Sequence, residues 1–249
     1  MEVRCPQCGA EQAVAADARL LQCRFCSTAL VVDGAGVLFN EVMLATVREP
    51  DAASHLRRFL AGDATVAGLD RAAEIATPRL EYFPFWAFTV VGAGGERVML
   101  EPAAPSSLSG LMGIALPAGS VESMRPGLTG EARVLEPEVP LATAEEWLKQ
   151  RYGDLRRTRT VLYHLPLYRM SYGFKGRTYA AAVDGVTGAV YPADFPAKAE
   201  TPYRLTMALA VVVFTLEGLA VGNLLLKTAL YLLSAAPLML VAWLTSRKV

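Results

Sequence analysis

The stretch LTMALAVVVFTLEGLAVGNLLLKTALYLLSAAPLMLVAWL, Leu205 to Leu244, carries only two charges in 40 residues, Glu217 and Lys227. A run so apolar is unsuited to the outer face of a water-soluble domain, and it is too long for a single membrane span. Two membrane helices are expected, parted at Gly222-Asn223. The first, Leu205 to Val221, is roughly 26 Å long at 1.5 Å per residue and the second, Leu224 to Leu244, roughly 32 Å, lengths on the scale of a bilayer core. Lys198 and Arg204 precede the pair and Arg247 and Lys248 follow it, whereas Lys227 alone lies near the tip. That bias puts both termini, and everything before Leu205, in the cytoplasm. Glu217 lies shortly before Gly222 and Lys227 shortly after Asn223, so the two are expected at similar depth near the outer end, where they can pair. Gly218 and Gly222 have the small-X-X-X-small spacing that lets helix backbones approach, so a structural clasp is expected in preference to an ion path.

The part before the helices has room for a small module and one ordinary domain. Charges cancel over the 249 residues, 24 cations against 24 anions, which gives no electrostatic reason to expect nucleic acid as the main partner. The opening Met-Glu-Val-Arg shows no apolar core with a cleavage site, so no secretory signal is expected and insertion rests on the C-terminal helices.

All four cysteines fall in the first 26 residues, as Cys5-Pro-Gln-Cys8 and Cys23-Arg-Phe-Cys26. Two tight turns that each present a pair of thiolates supply the tetrahedral sulfur set that zinc accepts, and Gly9 permits the sharp bend after the first pair. Two disulfides, or a rubredoxin-like iron, are the alternatives. One zinc held by Cys5, Cys8, Cys23 and Cys26 would have a closed coordination sphere, so its role is structural and not catalytic.

Cys-Pro-X-Cys-Gly followed by Cys-X-X-Cys resembles a zinc ribbon over roughly Val3 to Val32. Residues 1–40 hold Arg4, Arg19 and Arg24 against Glu2, Glu11, Asp17 and Asp33, a slightly negative sum that favours a protein contact over a phosphate-binding surface. The ribbon is read as residues 1–35, and a cytoplasmic α+β domain with antiparallel strands as 40–198, before the two-helix transmembrane hairpin at 205–246. Within the middle domain, Pro50-Asp51 opens a helix through Leu56, Phe59 and Leu60 that stops at Gly62, and Leu69 to Ile75 suggests another. His55 reads as a solvated or packed helix residue. Tyr82 to Phe88 has five aromatics in seven residues and then runs through Thr89-Val90-Val91, which reads as a core strand and not as a base-stacking platform, because no cation interrupts it. Residues 102–140 read as loops around a few short strands. Thr143 and Glu146 are placed as a capping box for a helix that ends at Gly153. Strands follow from Thr158 to Tyr172 and from Lys175 to Tyr191, the latter folded at Asp184-Gly185.

The ribbon, the Tyr-X-Pro-Phe-Trp-X-Phe strand at Tyr82 to Phe88, and the later Phe-Lys-Gly-Arg-Thr-Tyr…Asp-Gly-X-Thr-Gly stretch together resemble bacterial membrane-anchored zinc-ribbon proteins. These are often labelled primosomal or helicase-like from the ribbon alone, and relatives are similar to components that accompany membrane-stress or SPFH-type scaffold systems. The resemblance implies architecture and carries no catalytic residue across.

Between Lys149 and Arg177 eight cations face a single anion, Asp154. Either they form a solvated face balanced by nearby glutamates, or Arg156, Arg157 and Arg159 meet anionic headgroups or an acidic partner at the membrane. Catalysis would need a nucleophile with its base, paired carboxylates, an open metal site or a phosphate-cradling loop. The sequence offers none of these, and Gly92-Ala-Gly-Gly95 reads as a turn between strands. The chain is therefore read as a non-enzymatic adaptor, an integral protein of the bacterial cytoplasmic membrane whose ribbon binds another protein. A homo-oligomer is compatible with this reading, and a membrane-tethered nucleic-acid-binding ribbon is the alternative.

Overall fold

In the computed structural model, residues 1–34, 36–92, 95–198 and 201–246 are described, and in the last two helices the side chains of 207–243. β1 (Glu2–Arg4) and β2 (Glu11–Ala13) form a small antiparallel sheet, and β3 (Leu20–Gln22), β4 (Ala29–Asp33) and β5 (Gly36–Met43) follow as a meander. α1 (Glu49–Leu60), the four-residue α2 (Leu69–Ala72) and β6 (Glu74–Ile75) lead to the long strands β7 (Arg79–Gly92) and β8 (Gly95–Pro102). Beyond them come β9 (Val121–Ser123), β10 (Arg133–Val134), α3 (Leu141–Tyr152), the 19-residue β11 (Arg156–Phe174), β12 (Arg177–Asp184) and β13 (Val190–Pro192). The last two helices are α4 (Thr201–Ala220) and α5 (Leu224–Ser246). Contacts divide the chain into two compact units, Met1–Phe59 with Ala72–Phe195, and Leu60–Arg71 with the segment from Pro196 onward.

The first unit is organised on β11. Its first half pairs antiparallel with β7 and parallel with β5, and its second half pairs antiparallel with β12. Since side chains alternate across a pleated strand, Phe83, Phe85 and Ala87 of β7 join Val161, Tyr163 and Leu165 on one face, under Leu108, Leu111 and Ile114. Trp86, Phe88 and Val90 join Leu162 on the other, under Leu141, Ala144 and Leu148 of α3. Burial on both faces explains why Tyr82 to Phe88 is aromatic almost throughout instead of alternating with polar residues. These rings are core, and Trp86 satisfies its indole N–H on the Val139 carbonyl at 2.9 Å.

Three local expectations are corrected. α3 starts at Leu141 behind Pro140, with no side-chain cap, so the Thr143–Glu146 capping box does not form. Instead Asp33 Oδ2 of β4 accepts from the Leu141 N–H at 3.4 Å, and Glu146 accepts from Gln150. The second predicted helix stops at Ala72, and Glu74–Ile75 becomes β6, pairing with Tyr172–Gly173. Most consequentially, the sheet does not stop at the boundary drawn near residues 35–40. β4 pairs with β5 and β5 with β11, so the second hairpin of the ribbon is the edge of the main sheet.

In the second unit, Thr65 is buried, and its hydroxyl lies within hydrogen-bonding distance of the carbonyls of Leu60 (2.7 Å) and Gly62 (2.8 Å), closing the end of α1. α4 and α5 lie side by side: Phe214 meets the Tyr231 ring edge-on at 5.5 Å, and Tyr231 Oη donates to the Phe214 carbonyl. Asn223 separates them as an N-cap, its Oδ1 accepting from the N–H groups of Leu225 and Leu226. Leu224–Trp243 is long and apolar enough to cross a membrane, while the apolar stretch of α4, Met207–Ala220, is shorter. Arg247, Lys248 and the side chain of Arg204, on which the expected topology leans, lie outside the described residues.

Candidate metal centre

Each cysteine pair sits in a turn that joins two strands, and the two turns share one hydrogen-bond pattern. Cys5 N–H donates to the Ala10 carbonyl and Gly9 N–H to the Cys5 carbonyl, both at 2.9 Å. Cys23 N–H donates to the Thr28 carbonyl and Ser27 N–H to the Cys23 carbonyl, again at 2.9 Å. The residue after each second cysteine is left-handed, Gly9 at φ 76° and Ser27 at φ 61°. Gly9 is legible from the sequence and Ser27 is not, because serine does not announce a positive φ. A left-handed non-glycine residue costs about 1–2 kcal/mol, so Ser27→Gly is expected to raise the stability of the loaded ribbon by about 1 kcal/mol. Guanidinium titration followed by ribbon-specific amide exchange would measure it, and a loss of stability would refute the strain.

The turns bring Cys5, Cys8, Cys23 and Cys26 together so that their sulfurs all lie within 4.8 Å of one another. Cys5 Sγ is 3.7 Å from Cys26 Sγ and Cys8 Sγ 3.8 Å from Cys23 Sγ, too long for disulfides, and all four cysteines are free. Those separations match the edge of a sulfur tetrahedron, about 3.8 Å for metal–sulfur bonds of about 2.3 Å. Cys5 and Cys23 are buried against Leu30, with Leu21, Val37 and Phe39 around them. Gln12 ties the hairpins together by accepting from the Arg24 N–H at 2.9 Å. The Thr28 hydroxyl and N–H favour the Cys26 thiolate and bring its pKa down to about 6. At Cys8 the Ala10 N–H acts in the same sense, but desolvation and the other three sulfurs override it and push the thiol up to about 12. Four thiolates this close repel one another unless a cation sits among them, so the donor set fits a metal ion.

No protein-family model, curated protein or solved structure matches the chain. The remaining candidate residues therefore stand on their geometry.

The arginine cluster is divided by the fold. A bulge between Arg157 and Arg159 aligns Arg157 with Val90 and Arg159 with Thr89, so the two side chains leave opposite faces of the sheet. Arg157 pairs with Glu145 of α3 and lies over the Phe88 ring, while Arg159 bonds Glu41 at 3.1 Å and lies over Phe39. Arg151 bonds the buried Glu101 at 2.9 Å, and Lys149, Arg169 and Arg177 pair with Asp154, Glu81 and Asp194. Much of the cluster's charge is thus satisfied within the first unit, and Arg156, Arg157 and Arg159 do not share one surface.

The expected Glu217–Lys227 clasp is also corrected: no ion pair joins them. Glu217 Oε1 is hydrogen-bonded to Ser234 Oγ, and its Oε2 is buried without a partner. Ser234 is the eleventh residue of the 23 in α5, so the Glu217 carboxyl, from the last turn of α4, reaches toward the middle of α5. The faces of α4 and α5 that meet decide this, and two charges counted from a predicted turn do not reveal it.

His55 packs on the turn after β12, its ring filling the space over Gly188. His164 is a buried titratable group that no local sequence signal marks. It is 1% exposed on β11 and neither ring nitrogen has a partner, so desolvation lowers its pKa to about 4. The unfolded chain takes up this proton near pH 6.5 and the folded chain near pH 4. Stability is therefore present in full above pH 6.5 and lost as pH falls toward 4, by about 3 kcal/mol. His164→Met is expected to flatten denaturation midpoints over that window, and an unchanged acid slope would refute the assignment.

Proposed function

We propose that the chain is a membrane-anchored cytoplasmic adaptor in which one structural zinc holds a ribbon that contacts another protein. The observation that carries the reading is the closed four-sulfur set, which leaves no coordination position for substrate or water. The second turn presents Phe25, 68% exposed, beside Arg24, and an exposed aromatic of this kind suits a protein contact. α5, together with α4 as a second span, supplies the anchor, with both termini cytoplasmic. The resemblance to zinc-ribbon proteins that accompany membrane-stress or SPFH-type scaffolds supplies the setting.

The intact chain purified in mild detergent is expected to carry one zinc and to stay with membranes through alkaline carbonate washing. Phe25→Asp is expected to keep the zinc and lose the captured partner. Iron in place of zinc, or release by carbonate, would overturn the respective half of the reading. Capture that weakens steeply with salt would favour the tethered nucleic-acid ribbon.

A further inference from the structure

The Glu217 carboxyl reaches from the last turn of α4 to Ser234, the eleventh of the 23 residues of α5, and if α5 crosses a bilayer, as proposed above, this carboxyl sits within hydrocarbon. An ionisable group at that depth is costly and needs a partner. The described neighbours supply almost none. Oε1 meets Ser234 Oγ, Oε2 is buried with no partner, and Lys227 is not within ion-pair reach. Ser234 has one hydrogen, and its Oγ also lies 2.9 Å from the Leu230 carbonyl. Tyr231 Oη is engaged with the Phe214 carbonyl at 3.3 Å. Pro237, inside α5, has no N–H, so the Leu233 carbonyl lacks its helical donor. The Glu217 carboxylate is therefore left with the single Ser234 hydrogen, for which the Leu230 carbonyl also competes. A cation would supply what the carboxylate lacks, and one carboxyl neutralises one positive charge.

We propose that Glu217 and Ser234 form a binding site for a small monovalent cation, a proton or Na+, held between α4 and α5. The occupant replaces the clasp with Lys227 as the group that neutralises Glu217. Gln at 217 keeps the shape and cannot bind it, while Ala at 234 removes one oxygen and leaves the carboxyl.

Dicyclohexylcarbodiimide reads such a site. Its central carbon bonds the carboxyl oxygen while the acid's proton passes to one nitrogen, and the O-acylisourea rearranges to a stable N-acylurea that peptide mass mapping locates. The full chain in lipid vesicles is expected to label at Glu217, and Glu217→Gln is expected not to label there. With Na+ as occupant, sodium at ten times its Kd slows labelling about tenfold at fixed pH, choline at equal ionic strength does not, and Ser234→Ala weakens the protection. With a proton as occupant, sodium has no effect and labelling fades as pH rises. Absence of label at Glu217 in carbonate-resistant protein, or labelling indifferent to both sodium and pH, would overturn the site alone. Release of the chain by carbonate would overturn the membrane reading and the site with it.

Discussion

Cys23→Ser protein is expected to lose its metal, and its amide protection is expected to collapse over residues 1–33 and to thin further along β5. Structural zinc contributes on the order of 10–16 kcal/mol of apparent free energy in zinc-finger peptides at neutral pH, comparable to the whole stability of a domain. The ribbon has little else. Its first sheet is two three-residue strands, and its own core is Cys5, Cys23 and Leu30. An independent ribbon would unfold alone and leave the rest of the chain unchanged. Here Leu30 pairs with Phe39, Val31 packs with Trp86 and Leu162 on the α3 face, and the Ala29 N–H donates to Ser123 Oγ at 2.8 Å. Removing one thiolate should therefore lower the thermal midpoint of the sheet as well. Hydrogen exchange of the intact protein in detergent measures both effects. Full protection of β4 and β5 in Cys23→Ser would show that the sheet holds without the proposed metal at its edge.

Gly188→Ala is expected to be strongly destabilising, at about 3 kcal/mol. Gly188 has φ 74°, a conformation that costs an alanine about 1–2 kcal/mol. Its new Cβ would also land on the imidazole of His55, and overpacking of that kind typically costs about 1–3 kcal/mol. The turn cannot slide away. Gly188 N–H is bonded to the Asp184 carbonyl at 2.9 Å, and buried Asp184 Oδ1 accepts from the Val186 and Thr187 N–H groups. Adding His55→Ala should recover the steric part and leave the backbone part, so the pair should be strongly non-additive. Additive losses in chemical denaturation would mean that the ring already moves aside.

The parts of this fold that were legible in the sequence are those written in local chemistry. Paired cysteines at turn spacing located the sulfur set, the density of aromatics at Tyr82 to Phe88 located a core strand, and apolar length located α5. Asn223, between two apolar runs, marked the helix break and proves to be a cap. What the sequence concealed depends on which distant strands meet. The Thr143 capping box lost to Asp33, 108 residues away, because a carboxylate delivered by the sheet reaches the first N–H of α3. The arginine cluster dissolved at a one-residue bulge that changes which face each side chain leaves. Glu217 found Ser234 because helix register, and not distance from the turn, sets its neighbour.

The parallel pairing of β5 with β11 also sets a clock for synthesis. The cysteine turns emerge early and can take their metal at once, yet the neighbour that closes the far side of β5 is encoded about 120 residues later, roughly 6–24 s at 5–20 residues per second. Through that interval Val37, Phe39 and Val42 line an open strand edge on the nascent chain. With the proposed metal bound, the ribbon keeps one side of that strand paired during the wait, so metal supply during translation, more than in the finished protein, should govern how much chain escapes aggregation.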